Sequence, residues 1–245
     1  MQKCIFSRYE RKYLVTTEQK DEIVSYLKNY MIDDPFSRNG SHYTIYNVYF
    51  DTPDYSVIRQ SVLKPIYKSK LRLRSYKAPL DDQDQVFLEI KTKYEGRVNK
   101  RRVLMTYKEA MDYIEKGIKP QFTHYLDNQI MNEIDYHVKI YELKPGSFIR
   151  YDRTALMTPD DQLRVTFDHH ILFRNDDVHM NNISGYPILS EANQWLMEVK
   201  SEDNFPLWLA TKLSQYELYS QGFSKYGKAY QMHLLGGLND DPILY

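Results

Sequence analysis

At least six short segments of this chain alternate charged with apolar residues, and that pattern restricts the fold more than any other feature. They are SRYERKYLV (7–15), KLRLRSY (70–76), QVFLEIKTKY (85–94), SFIRYDRTALM (147–157), QLRVTFDHHILF (162–173) and QWLMEVK (194–200). A period of two is the side-chain period of a β-strand, so Arg72 and Arg74 share one face while Leu71 and Leu73 share the other. A single strand of this kind normally turns its charged side to water. Six of them, beside several helical stretches able to cover the apolar side, predict something else. The apolar faces meet helices, and the charged faces share the inside of a sheet that closes or nearly closes.

Parity defines that inside face. It carries eight cations, Arg8, Lys12, Arg72, Arg74, Lys91, Arg153, Arg164 and Lys200, against four carboxylates, Glu10, Glu89, Asp168 and Glu198. The whole chain has 33 basic and 33 acidic residues and a formal charge of zero. The excess of positive charge is therefore local, which argues against a general electrostatic grip on nucleic acid or anionic lipid. Withdrawing ions from water costs several kcal/mol each unless they are paired, so such a face is hydrated or holds a polyanion. A triphosphate chain fits: arginine forks take phosphate oxygens two at a time, and lysines add compact charge. The carboxylates would repel phosphate unless a divalent metal joins them to it. Glu198 and Glu10 are the first candidates for Mg²⁺ or Mn²⁺. Glu89 is a third candidate, with a salt bridge on its own face as the competing role.

The remainder of the sequence supplies the helices. Thr16 or Thr17 caps TEQKDEIVSYLKNYM, in which Ile23, Tyr26, Leu27 and Tyr30 recur at helical spacing. HYTIYNVYFDT (42–52) reads as a further strand, and Thr52-Pro53-Asp54 as a turn before a short helix near 55–61. Glu95-Gly96 marks a hairpin whose return strand ends near Met105. One or two helices, interrupted near Gly117 and Pro120, occupy 107–141, and the stretch 206–235 is helical again. No repeat or composition break divides the chain, so residues 1–245 are expected to form a single α+β domain, an antiparallel barrel of about eight strands covered by helices. The single cysteine, Cys4, excludes an intrachain disulfide and a cysteine-based zinc site. No apolar run is long enough to span a membrane and the start lacks the apolar core of a signal peptide, so a cytoplasmic protein is expected. HExxH, G-x-S-x-G, Walker A and G-x-G-x-x-G patterns are all absent.

YERKYLV, VYFDTPD, KLRLRSY, FLEIKTK, YDRTA, LRVTFD, LMEVK and FSKYGKAY, in this order, resemble the VTC domain of polyphosphate polymerases, within the CYTH or triphosphate tunnel metalloenzyme superfamily. The resemblance runs from Arg8 to about Tyr230. It implies a tunnel barrel with Mn²⁺ or Mg²⁺, in which the γ-phosphate of ATP passes to a growing polyphosphate chain. It also implies catalytic roles for Arg72, Arg74, Lys91, Arg153 and Arg164, and phosphate contacts from Lys12, Lys200, Ser224 and Lys225; Arg8, by strand parity, and Lys228, by helical spacing, are expected to join the phosphate contacts. Glu198 would be a metal ligand. Ser224 is also suited to cap a helix whose unpaired N–H groups favour anions, with Lys228 one turn on from Lys225. Many superfamily members carry ExExK on the first strand; here the stretch reads Arg8, Glu10, Lys12. That removes one potential metal ligand and turns the resemblance away from two-metal hydrolysis toward the VTC type. A triphosphatase of the same fold, and a sensor that binds polyphosphate or nucleotide without turnover, are the alternatives. ATP and polyphosphate are the expected partners, with a membrane partner protein left open.

Overall fold

The computed structural model of the chain describes residues 9–37, 41–63, 65–95, 97–189, 191–202 and 204–234. Each alternating segment is a strand. In chain order the elements are β1 (Tyr9–Thr16), α1 (Thr17–Leu27), β2 (Ile32–Asp33), β3 (Tyr43–Asp51), α2 (Ser56–Val62), β4 (Tyr67–Ser75), β5 (Gln85–Tyr94) and β6 (Arg97–Thr106). There follow α3 (Tyr107–Lys116), α4 (Tyr125–Ile140), β7 (Lys144–Met157), β8 (Leu163–Arg174), β9 (Tyr186–Pro187), β10 (Gln194–Ser201), α5 (Leu207–Gln215) and α6 (Lys225–Leu234).

The strands pair antiparallel in the order β1-β10-β8-β7-β3-β4-β5-β6, with the two-residue strands β2 and β9 added on β7 and β8. Among the described residues β1 and β6 end this path, so the sheet curls without hydrogen-bonded closure. The curl still brings the two ends into each other's field: Glu10 of β1 feels the charge of Lys91 on β5, and Lys70 of β4 feels Lys12 of β1. Twist of the same hand at every strand pair, accumulated over eight strands, produces that curvature.

Two apolar clusters cover the outer face, as the alternation predicts. Ile23 and Leu27 of α1 and Leu209 and Leu213 of α5 pack on Val165, Phe167, Met197 and Val199. Tyr113 of α3 and Met131 and Ile134 of α4 pack on Leu88, Ile90, Val103 and Met105. Burying side chains of this size stabilises by about 1.5–3 kcal/mol each, which fixes the strand faces against inversion. The helices are bounded as their sequences require. Thr16 and Thr106 form capping boxes with Gln19 and Glu109, and Gly117 ends α3 at φ 70°.

The third apolar cluster departs from the expectation that helices cover only the outside. Tyr226, Ala229 and Tyr230 of α6 pack on Ile45, Ile149, Tyr151, Ile171, Phe173 and Leu196. By strand parity Ile45, Tyr151 and Leu196 lie on the same face as Tyr43, Arg153 and Glu198, so α6 lies inside the curl. One part of the inner face is charged and the other is sealed by a helix. Ile171 and Phe173 have the opposite parity to Asp168, and a β-bulge reconciles them. β8 advances from His169 to Leu172 while β7 advances only from Asp152 to Arg150, and His170 takes φ 47°. The extra residue rephases the strand, so Asp168 and Phe173 both face inward. Asp152 accepts a hydrogen bond from Thr44 at 2.6 Å and lies 2.9 Å from His170 Nδ1, holding the bulge.

Candidate functional site

The charged part of the inner face is organised around carboxylates, each shared by several cations. Glu198, on β10, lies 3.1 Å from Lys225 Nζ, 3.4 Å from Lys12, 3.5 Å from Lys200 and 3.6 Å from Arg153. Asp168, on β8, takes both prongs of the Arg153 guanidinium at 2.6 and 2.7 Å and the Lys225 ammonium at 2.5 Å. Register explains the grouping, since Lys12 stands opposite Glu198 and Arg153 opposite Asp168. Lys225 reaches the cluster because it begins α6, the inner helix. Glu10, one pleat along β1, lies 3.2 Å from Lys12 and 4.0 Å from Lys200.

A second cluster surrounds Glu89, which is 1% exposed. Arg72 donates to it at 2.7 Å, Lys100 lies at 2.7 Å and Arg74 at 3.9 Å. Arg72 also donates to the Tyr49 hydroxyl at 3.2 Å. Arg74 differs: its Nε donates to Asn47 Oδ1 at 3.0 Å and its other nitrogen to the Tyr151 hydroxyl at 3.5 Å. Its closest partners are neutral.

Burial and neighbouring charge set the ionisation of these groups. Burial disfavours the charged form of Glu10, but Lys200 and Lys12 outweigh it and hold the carboxyl at about 2. Glu198 is likewise opposed by burial and held well below the carboxylate range by Lys225, Lys12 and Lys200. Three lysines move in the opposite direction, toward the neutral form. Burial lowers Lys70 to about 8 and Lys100 to about 8, and lowers Lys91. Tyr49 is buried, which by itself would raise it, but Arg72 and Arg74 bring it down to about 8. Burial is the main force on the lysines, and arginine charge is what lowers Tyr49.

The structure brings together Lys12, Arg72, Arg74, Lys91, Arg153, Lys200, Lys225, Glu10, Glu89 and Glu198 on one inner surface. Arg164 stands at its margin, paired with Asp34 at 2.8 Å. Arg8 lies outside the described residues. Ser224 caps α6, its hydroxyl accepting from the Gly227 N–H at 3.1 Å. Lys225 is buried in the ion cluster, whereas Lys228, one turn on, is exposed. The acids divide in two: Glu198 shares Lys12 and Lys200 with Glu10 and shares Arg153 and Lys225 with Asp168, while Glu89 is held separately by arginines and Lys100. Among the described residues no group of three or more His, Cys, Asp or Glu side chains is placed to hold a metal. Parity could also have found Lys70, which pairs with Lys91, and Lys100 and Arg102, which pair with Lys91 and Glu89 on the return strand. Nothing in the sequence marks Asn47, Tyr49 or Tyr151 as arginine partners, because that role depends on which strands become neighbours.

Comparison with known proteins agrees with this architecture. The family model described as the VTC domain matches residues 7–234. No curated protein matches the chain. Among solved structures, the crystal structure of a Bacillus halodurans protein provisionally named an adenylate cyclase superposes with a TM-score of 0.56 at 17% identity, over 90% of this chain and 95% of that one. At that identity the likeness speaks for the fold alone: an antiparallel, helix-decorated α+β architecture of the tunnel type. Among the described residues, no helix is long and apolar enough to cross a membrane.

Proposed function

The chain belongs to the VTC domain family, and on that premise we propose that it is a polyphosphate polymerase acting on ATP. The observation that carries the reading is the inner surface itself, where arginines and lysines outnumber carboxylates and burial works against the charge of Lys70, Lys91 and Lys100. A terminal oxygen of the polyphosphate chain attacks the γ-phosphorus of ATP. The new P–O bond forms as the bond to the β–γ bridging oxygen breaks, and ADP leaves with those electrons. Phosphoryl transfer of this kind asks the protein for alignment and charge neutralisation rather than a nucleophilic side chain. Arg72, Arg74, Lys91, Arg153 and Arg164 would hold the reacting phosphates, and Lys12, Lys200 and Lys225 the flanking ones.

Glu10 and Glu198 fit a divalent metal. Both are ionised, stand on adjacent strands of one face and share lysines, and Mg²⁺ commonly takes one or two carboxylates plus substrate phosphate oxygens. Bound there, Mn²⁺ or Mg²⁺ would neutralise developing charge on the transferred group. Glu89, clamped by Arg72 and Lys100, serves the arginines instead, holding their forks in place.

Purified protein incubated with ATP and Mn²⁺ is expected to form long polyphosphate, seen as a ladder on a gel. Release of free phosphate alone would make the chain a triphosphatase, and binding with no turnover would make it a sensor; either result overturns the polymerase reading. The lysines add a pH signature. Phosphate held nearby raises a lysine's pKa, so binding takes up protons at Lys70 and Lys100. Affinity for tripolyphosphate is therefore full below about 8 and falls as pH rises through about 8, where the empty cavity loses charge from Lys70 and Lys100 and Tyr49 ionises. Titration calorimetry at pH 7 and pH 9 checks this; equal affinities would rule out a role for these lysines.

A further inference from the structure

One end of the charged face finishes in aromatic rings, which a phosphate chain does not need. Tyr76 continues the parity of Arg72 and Arg74 just past β4, Tyr43 begins β3, and Phe36 comes from the turn after β2. Their ring centroids form a near-equilateral triangle with sides of 6.0, 6.2 and 6.4 Å, and the rings of Phe36 and Tyr76 are within 5° of parallel. Phe36 is 73% exposed and Tyr76 47% exposed, so two members of the group are not serving as core.

The rings adjoin the cations. The Arg74 guanidinium lies 6.0 Å from the centroid of Tyr76, and Arg164 donates to the Tyr43 hydroxyl at 3.4 Å. Aromatic faces carry partial negative charge and give phosphate nothing. They do attract a flat, uncharged ring, and stacking on them is tolerant of which base is offered. A ligand that places a planar ring on Phe36 and Tyr76 while threading a polyanion past Arg74 is a nucleoside polyphosphate.

We propose that Phe36, Tyr43 and Tyr76 form the stacking platform for the base of the donor nucleotide, so that the cavity takes nucleoside triphosphates in preference to inorganic tripolyphosphate. The inference rests on the phosphate-binding reading above and adds to it where the base sits.

The test measures Kd for ATP and for inorganic tripolyphosphate on the same full-length protein, with EDTA present to prevent turnover. Phe36→Ala and Tyr76→Ala are each expected to weaken ATP by about 10-fold or more, the loss of one stacked base, while tripolyphosphate changes by less than about 2-fold. Melting curves report whether each variant is folded, and the exposure of both rings favours that. ATP affinity unchanged in both variants would overturn the platform and leave the phosphate site standing. ATP and tripolyphosphate weakened in parallel would do the same, since the rings would then be supporting the cavity rather than a base. Failure of both ATP and tripolyphosphate to bind the unaltered protein would overturn the phosphate site and the platform with it, and tripolyphosphate binding the unaltered protein as tightly as ATP would overturn the platform alone.

Discussion

Arg74→Ala is expected to abolish polyphosphate formation, a fall in rate of about 10³-fold or more, while the protein stays folded. The magnitude follows from what an arginine contributes when it stabilises charge on a transferred phosphoryl group. The choice of Arg74 over its neighbours follows from what each one touches. Arg153 has both prongs on Asp168, and Arg72 spends its fork on Glu89 and Tyr49. Arg74 is 7% exposed, hydrogen-bonded to the neutral groups of Asn47 and Tyr151, and 3.9 Å from the nearest carboxylate. Its charge is thus the least compensated of the three and the most available to phosphate. Losing two neutral hydrogen bonds costs stability about 1 kcal/mol each, which a chain with three apolar clusters withstands. Arg74→Lys restores the charge without the planar fork and should recover only part of the rate. Product gels alongside a thermal melt decide the matter. A folded Arg74→Ala protein that makes polyphosphate at the unaltered rate would remove Arg74 from the reaction.

Arg74 also illustrates what could be read from the sequence. Alternation placed it on the charged face, because parity along one strand is a local property and the leucines on the other side have only one favourable place to go. The same logic held for Lys12, Glu89, Glu198 and Lys200. It stopped working where a local rule was broken. The bulge at His170 shifts β8 by one residue, so counting by twos from Asp168 assigns Ile171 and Phe173 to the wrong face. That error hides the apolar seat inside the curl, and with it the reason that α6 lies within. The burial of Lys225 follows from that seat and was legible only as a family likeness. Strand order, which makes Asn47 and Tyr151 neighbours of Arg74, is a long-range outcome. Lys70, Lys100 and Arg102, by contrast, obey the same alternation as their neighbours and were open to the same reading.

Glu198→Gln separates a metal ligand from a mere counter-ion. Glu198 is 5% exposed and faces Lys225, Lys12, Lys200 and Arg153 within 3.6 Å. Asp168 continues to neutralise Arg153 and Lys225 in the variant, but Lys12 and Lys200 keep only Glu10. Removing one partner of a buried ion cluster costs about 3–5 kcal/mol, which for a chain of this size is a fall in Tm of about 10 °C. A polyanion supplies the missing negative charge, and ligand at 100 times its Kd returns about 2.7 kcal/mol. Tripolyphosphate is therefore expected to restore most of the lost Tm, and to stabilise the variant at least as much as the unaltered protein. If Glu198 were only a counter-ion, ATP would replace it in the same way and polymer formation would return with stability. If it also holds Mn²⁺, the variant saturated with ATP stays folded and makes no polymer. A stable, ATP-saturated variant with undiminished Mn²⁺-dependent synthesis would exclude Glu198 as a ligand, and an unchanged Tm without ligand would contradict the ion cluster itself.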